Sequence, residues 1–204
     1  MFTGIIQATA KVLRSVPSSG VNRITIQRPD TFSDLAAGAS IACDGICLTV
    51  MGFDANSFEV EVMRETLAKT TASAWKSNTL LNLEPALKIG DRLDGHWVQG
   101  HIDRTSSLLE TKTSGATIWL RFELHPQDRQ LVVPQGSIAV NGVSLTIADL
   151  LAGSFSVALI SHTLQNSNLG KLAPGAKVNL EYDILGKYVQ SALHNRPADL
   201  EKLL

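Results

Sequence analysis

Ser40-Ile41-Ala42-Cys43-Asp44-Gly45-Ile46-Cys47-Leu48-Thr49-Val50 reads as a strand, a two-residue Asp-Gly turn and a second strand. Asp-Gly between alternating apolar residues is a strong hairpin signal, because the pair tolerates the positive φ angles of a type I′ turn. The pattern returns as Ser137-Ile138-Ala139-Val140-Asn141-Gly142-Val143-Ser144-Leu145-Thr146-Ile147, with Asn-Gly at the turn. The offset is 137 − 40 = 97, and it also relates Ser57-Phe58 to Ser154-Phe155, Thr66-Leu67 to Thr163-Leu164 and Asn82-Leu83-Glu84 to Asn179-Leu180-Glu181. This is an internal duplication. Two copies are too few for a solenoid, so each copy predicts a domain with its own core, and function is expected to rest on one kind of site present twice.

Outward from the hairpin, the first copy predicts strands over Gly4 to Val12, Arg23 to Gln27, Ser57 to Met63 and Thr79 to Glu84, with a turn at Pro17-Ser18-Ser19-Gly20. Thr31 to Ala37 predicts a short helix, and Glu65 to Trp75 one or two helical turns. Six short, evenly spaced strands suit a small closed barrel, which leaves no free sheet edge, or else an open sandwich. The second copy repeats this from Val98 to Ile102 through Ile118 to Phe122, a short helix at Pro126 to Leu131, Ser154 to Ile160 and Lys177 to Tyr182. Beyond Asp183, Leu185, Val189, Ala192 and Leu193 fall on one helical face, and Pro197 ends or kinks that helix before Leu200, Leu203 and Leu204. With both barrels closed, that stripe predicts an oligomer interface.

The 204 residues fit two domains of about 100. A net charge of −1 and no basic run argue against nucleic-acid binding. Cys43 and Cys47 match neither a CxxC redox motif nor half of a zinc site, and read as reduced thiols. The sequence contains neither a signal-like start nor 18 consecutive apolar residues. The expectation is a cytoplasmic, soluble protein without membrane contact.

His96 and His101 are five positions apart and would point to opposite faces of a strand, so metal binding is not expected. Cys47 and Ser144 are equivalent in the two hairpins and are either small packing residues or ligand contacts. Thr49 and Thr146 repeat a hydroxyl at equivalent points. Glu61, Arg64 and Glu65 lie where a strand meets a helical turn. No GxGxxG, phosphate loop, HExxH or GxSxG is present.

Met1-Phe2-Thr3-Gly4-Ile5-Ile6, the two Gly-x-[Cys/Ser]-Leu-Thr hairpins, Gly95-His96-Trp97-Val98-Gln99-Gly100-His101-Ile102-Asp103 and Val178-Asn179-Leu180-Glu181-Tyr182-Asp183 together resemble the riboflavin synthase family of the duplicated-barrel type, over essentially the whole chain. The resemblance implies a mainly β protein: two tandem homologous six-stranded Greek-key β-barrels, residues 1–86 and 87–183, and a C-terminal helix, 184–204, for oligomerisation. It implies dismutation of two 6,7-dimethyl-8-ribityllumazine molecules, with no redox cofactor, in a homotrimer, with lumazine synthase as a further partner. A non-catalytic lumazine or flavin carrier is the alternative.

By matching position, the resemblance draws ligand contacts in the first copy from Gly4, Ile5 and Ile6, from Cys47, Leu48 and Thr49, and from Glu61, Val62, Met63, Arg64, Glu65 and Thr66. In the second it draws them from Gly100, His101 and Ile102, from Gln135, from Ser144, Leu145 and Thr146, and from Ala158, Leu159, Ile160, Ser161, His162 and Thr163. His101, Ser144, Thr146 and Asp183 are the implied candidates for proton transfer, with Cys47 a nucleophile or a wall. The chain departs from the family pattern at Gln135, at Ser161-His162, at Asp94 and at Thr70 to Trp75, which bears on the outer contacts of the second pocket more than on the fold.

Overall fold

The computed structural model describes residues 1–18, 20–115 and 117–194. In the first copy, β1 (Ala8–Ser18), β2 (Val21–Gln27), β3 (Ser40–Cys43), β4 (Ile46–Phe53), β5 (Ser57–Met63) and β6 (Leu80–Pro85) close into an antiparallel barrel in the order β1-β2-β5-β4-β3-β6. The second copy closes the same way with β7 (Arg104–Ser114), β8 (Thr117–Glu123), β9 (Ser137–Val140), β10 (Val143–Leu150), β11 (Ser154–Leu159) and β12 (Lys177–Tyr182). Both are closed barrels with Greek-key strand order, not open sandwiches. At the hairpin turns Asp44 and Gly45 have φ of 46° and 78°, and Asn141 and Gly142 45° and 77°, as the type I′ reading requires.

Alternation along each strand puts one face inside. Ile24, Ile26, Phe58, Val60, Val62, Leu81 and Leu83 are fully buried in the first barrel, and Leu108, Phe122, Val157, Leu159, Val178 and Leu180 in the second. Each such side chain contributes about 1.5–3 kcal/mol by leaving water, so each barrel carries its own core.

Three sequence expectations need correction. The strands that open the copies start later and run longer than expected: Gly4 to Ile6 and Gly100 to Ile102 lie ahead of β1 and β7, and β1 continues through Pro17 to Ser18. Thr31 to Ala37 forms turns, not a helix. There the Arg28 guanidinium takes the Phe32 carbonyl through both Nε (3.1 Å) and Nη2 (2.8 Å), so an acceptor that a helix would use is already engaged. Pro126–Leu131 is a 3-10 turn, while Glu65 to Trp75 divides into α1 (Arg64–Lys69) and a 3-10 turn at Thr71–Ala74. Its counterpart is α2 (Ser161–Asn166), followed by a 3-10 turn at Asn168–Lys171.

The barrels meet on a pseudo-twofold axis. Phe2 and Val98 pair there as an isolated bridge and pack with Ala42 and Ala139. Around them lies a buried amide network. Asn82 Nδ2 donates to the Asn141 carbonyl (2.9 Å), and Asn179 Nδ2 donates to the Asp44 carbonyl (3.0 Å). Asp44 Oδ1 accepts from Asn82 N–H and from Asn168 Nδ2, both at 2.8 Å, whereas the equivalent Asn141 Oδ1 accepts from Asn179 N–H at 2.8 Å. The duplicated position is therefore a titratable acid in one copy only, and burial pushes the Asp44 carboxyl up to about 7.

Because the folded pKa lies above the unfolded value, the native state holds the proton more tightly, and this group's contribution falls as pH rises from about 4 to about 7. Asp44→Asn keeps an acceptor for both donors and removes the ionisation. The expected result in thermal unfolding is a variant whose advantage over the parent grows from pH 5 to pH 8, reaching several degrees. A pH-independent difference would show that Asp44 does not titrate in this window.

After β12 comes α3 (Ile184–His194). Its Leu185, Tyr188, Val189 and Leu193 are 51–70 % exposed, an apolar face with no cover in the single chain. Pro197, Leu200, Leu203 and Leu204 lie outside the described residues. No described helix is long and apolar enough to cross a membrane.

Candidate active site

Two hollows flank the pseudo-twofold axis, and they correspond residue for residue. One, of about 240 Å³, is lined by Ile46, Cys47, Glu65, Thr66, Lys69 and Thr70 of the first barrel and by Gly100, His101 and Ile102. The other, of about 60 Å³, is lined by Val143, Ser144, His162, Thr163, Asn166 and Ser167 of the second barrel and by Gly4, Ile5 and Ile6. Adding 97 to each first-barrel number gives the second-barrel number, and adding 96 to 4, 5 and 6 gives 100, 101 and 102. Larger hollows of about 440 and 540 Å³ lie on the outer face of the second barrel and beside the linker, but their linings do not repeat.

The leading segments are thus exchanged, which corrects the expected grouping. Gly4 to Ile6 serve the second barrel's hollow, and Gly100 to Ile102 serve the first. Cys47 N–H donates to the Gly100 carbonyl at 2.9 Å and Ser144 N–H to the Gly4 carbonyl at 2.8 Å. Each segment is clamped by a carboxylate from the last strand of its own copy. Glu84 accepts from Thr3 N–H (2.7 Å), Thr3 Oγ1 (2.7 Å) and Gly4 N–H (2.9 Å); Glu181 accepts from Gln99 N–H (2.7 Å) and Gly100 N–H (2.9 Å). Burial raises both carboxyls, Glu181 to about 7, against the lowering effect of these N–H donors.

His101, expected with Ser144, therefore stands beside Cys47, exposed at the wall of the first hollow. The residue that meets Ser144 is His96. Its Nδ1 is 2.7 Å from Ser144 Oγ, its side chain is 7 % exposed, and its Nε2 is buried without a hydrogen-bond partner. Burial lowers the His96 pKa below the ordinary 6.5, opposed by the nearby Asp183 carboxylate. Asp183 in turn accepts from Leu185 N–H at 3.0 Å, at the start of α3. A neutral imidazole accepting the Ser144 hydroxyl proton is an arrangement for moving a proton. Sequence reading set His96 aside together with metal binding; among the described residues no group of three or more metal-ligating side chains exists.

The other expected site residues divide by strand face. Leu48, Val62, Leu145 and Leu159 bury their side chains in the barrel cores. Thr49 and Thr146 lie one pleat beyond Cys47 and Ser144 on the same face, exposed and outside the hollows. Met63 and Ile160 are 61 % and 64 % exposed beside α1 and α2; Arg64 and Ser161 are exposed next to them. Glu61 is paired with Arg23 at 2.9 Å, and Ala158 is half-buried. Gln135 is exposed with φ of 64°, its N–H bonded to the Ile147 carbonyl. Lys69, Thr70, Asn166 and Ser167 also line the hollows, and their equivalence under the 97-residue offset is the signal the sequence carries for them.

Comparison with known proteins places these features in context. The lumazine binding domain family model matches residues 3–86 and again 99–183. Riboflavin synthase of Actinobacillus pleuropneumoniae is 39 % identical over 202 residues, covering 99 % of this chain and 94 % of that protein. Riboflavin synthase of Bacillus subtilis (strain 168) is 36 % identical over 194 residues, covering 95 % and 90 %. Among solved structures, LumP complexed with riboflavin superposes with a TM-score of 0.83 at 20 % identity, covering 89 % of this chain and 99 % of that one, a likeness of fold.

Proposed function

This chain belongs to the riboflavin synthase family, and we propose that it converts two molecules of 6,7-dimethyl-8-ribityllumazine into riboflavin and 5-amino-6-ribitylaminouracil. A four-carbon unit passes from one substrate to the other, so what one loses the other gains and no external redox partner is consumed. The observation that carries this reading is the pair of hollows with equivalent linings. Two identical substrates that must meet in opposite orientations are served by two copies of one site, which replaces an encounter in solution by a bound geometry.

At 240 and 60 Å³ the hollows fall short of the roughly 300–1,000 Å³ of an ordinary small-molecule pocket. They act as half-sites. The first hollow of one copy faces the second hollow of the next, a head-to-tail contact that closes into a ring, and the exposed face of α3 covers its counterparts in a homotrimer. Ser144, with His96 and Asp183 behind it, takes the proton from the C7 methyl of one lumazine, and the resulting carbanion attacks C7 of the other. Backbone N–H groups around the pyrimidine carbonyls stabilise the delocalised charge. Thr49 and Thr146 contact the ligand from the rims. Contact with lumazine synthase and a cytoplasmic setting belong to the same reading.

Purified protein incubated with the lumazine is expected to yield riboflavin absorbance and the pyrimidine product in equal amounts. Binding without turnover would identify a carrier instead. Cys47 is a free thiol with no hydrogen-bonded base among the described residues, and its counterpart is Ser144, so it acts as wall rather than covalent nucleophile. Steady-state turnover of Cys47→Ser is expected within about tenfold of the parent; a folded but inactive Cys47→Ser would restore the nucleophile.

A further inference from the structure

Glu84 and Glu181 hold the two exchanged segments through backbone N–H groups, with Thr3 Oγ1 adding a bond to Glu84, but only the second segment is tied to α3 among the described residues. Asp103 directly follows Ile102, which lines the first hollow. Its Oδ2 accepts from Tyr182 N–H at 2.9 Å and pairs with Lys187 Nζ at 2.6 Å, while its own N–H donates to the Leu180 carbonyl at 2.9 Å. The Lys187 and Asp103 side chains are 23 % and 28 % exposed, which shields the pair more than an ordinary surface contact. The equivalent position in the first copy, 103 − 96 = 7, is Gln7, an uncharged side chain that bonds, among the described residues, to the Ile5 carbonyl at 3.4 Å.

Lys187 belongs to α3, one turn into the helix whose opposite face is the exposed Leu185, Tyr188, Val189 and Leu193. Few contacts tie that helix to its own barrel; one is Gln190 Nε2 to the Gln130 carbonyl at 3.2 Å. The positive charge of Lys187 also favours the ionised form of Glu181, the clamp on Gln99 N–H and Gly100 N–H. One helix therefore presents its apolar face outward and, through a single ammonium, grips the Asp103 carboxylate that follows the borrowed wall of the first hollow.

We propose that Lys187 is a positioning residue that couples association of a second copy on α3 to the first hollow, by holding the Gln99–Asp103 segment that presents His101. The proposal rests on the reading that this hollow receives the lumazine. Because coupling is reciprocal, association tightens ligand binding there and ligand tightens association. The second hollow, whose borrowed segment lacks the tie, is independent of α3 in this respect.

The test is amide exchange by mass spectrometry across residues 97–104, with mass followed by light scattering, for the parent, Lys187→Gln, Lys187→Arg and Asp103→Asn. Lys187→Gln is expected to speed exchange at Gln99, Gly100 and Asp103 about tenfold or more at unchanged mass and to raise KM for the lumazine with little change in kcat. Lys187→Arg is expected to restore both. Dilution of the parent into its dispersed form is expected to produce the same faster exchange. Where Lys187→Gln itself disperses the protein, Asp103→Asn decides, since it leaves α3 intact and keeps an acceptor for Tyr182 N–H. Unchanged exchange in that variant, or a parent whose exchange ignores dilution, would overturn the coupling. Failure of the parent to make riboflavin counts against the proposed reaction, while the exchange measurements still judge the coupling.

Discussion

His96→Gln is expected to lower turnover by about 10²- to 10³-fold while leaving lumazine binding and the fold in place. The magnitude is that of a positioned acid-base group. The geometry behind it is a 2.7 Å contact between His96 Nδ1 and Ser144 Oγ, inside a second-barrel wall that excludes water from the ring. Burial keeps the imidazole neutral at pH 7, because it lowers the pKa from 6.5 by more than Asp183 raises it. A neutral ring has a lone pair to accept the serine proton; a protonated ring has none.

The parent's kcat should accordingly fall as pH drops through a value below 6.5, and that acid limb should vanish in His96→Gln. Ser144→Ala is expected to lose a similar factor. Residues that act as one unit do not lose additively, so the double variant should be about as slow as either single one. Steady-state kinetics between pH 5 and 8, with circular dichroism to verify folding, checks all three statements. A folded His96→Gln with parental kcat would remove the histidine from the reaction and leave Ser144 to act alone.

Much of this architecture was written in the repeat. The Asp-Gly and Asn-Gly turns, the period-2 alternation of Ser57 to Met63 and the constant offset of 97 place both barrels, because hairpin chemistry and strand alternation are local. The comparisons with riboflavin synthases agree with the resemblance carried by those same stretches. What local patterns do not encode is which barrel a segment joins. Gly4 to Ile6 and Gly100 to Ile102 are equivalent in sequence whether each stays at home or crosses, and only the Phe2–Val98 bridge and the two interbarrel N–H bonds decide it. The same limit hid His96, whose partner is 48 residues away. Thr31 to Ala37 departs for a local reason: Phe32 and Leu35 have helical spacing and are both buried, yet the Arg28 guanidinium, four residues before Phe32, takes that residue's carbonyl.

Exchange of the segments makes its own demand on sequence, and Gly100→Ala is expected to show it. Gly100 has φ of +83°, and a Cβ there would stand 2.5 Å from Cys47 Cβ and 2.8 Å from Cys47 N. Those atoms belong to a hairpin fixed by both its neighbours, so the segment must yield. It would give up the bond from Cys47 N–H to the Gly100 carbonyl and the hold of Glu181, and His101 would leave the hollow. Gly38 supplies the control, with φ of +85° and nothing within 4 Å of its notional Cβ. Alanine at Gly38 bears only the cost of a left-handed residue, about 1–2 kcal/mol, whereas alanine at Gly100 adds the collision. We expect Gly38→Ala to lose a few degrees of thermal stability with turnover intact. Gly100→Ala should lose more stability and weaken lumazine binding at the first hollow by at least about tenfold. Gly4→Ala, whose Cβ would lie 2.6 Å from Ser144 Cβ, should do the same to the second hollow and remove turnover with it. Fluorescence titration with the lumazine, alongside thermal unfolding, separates the cases: equal losses at Gly38 and Gly100 would mean that backbone conformation alone matters and that the crossing segment is not held against Cys47.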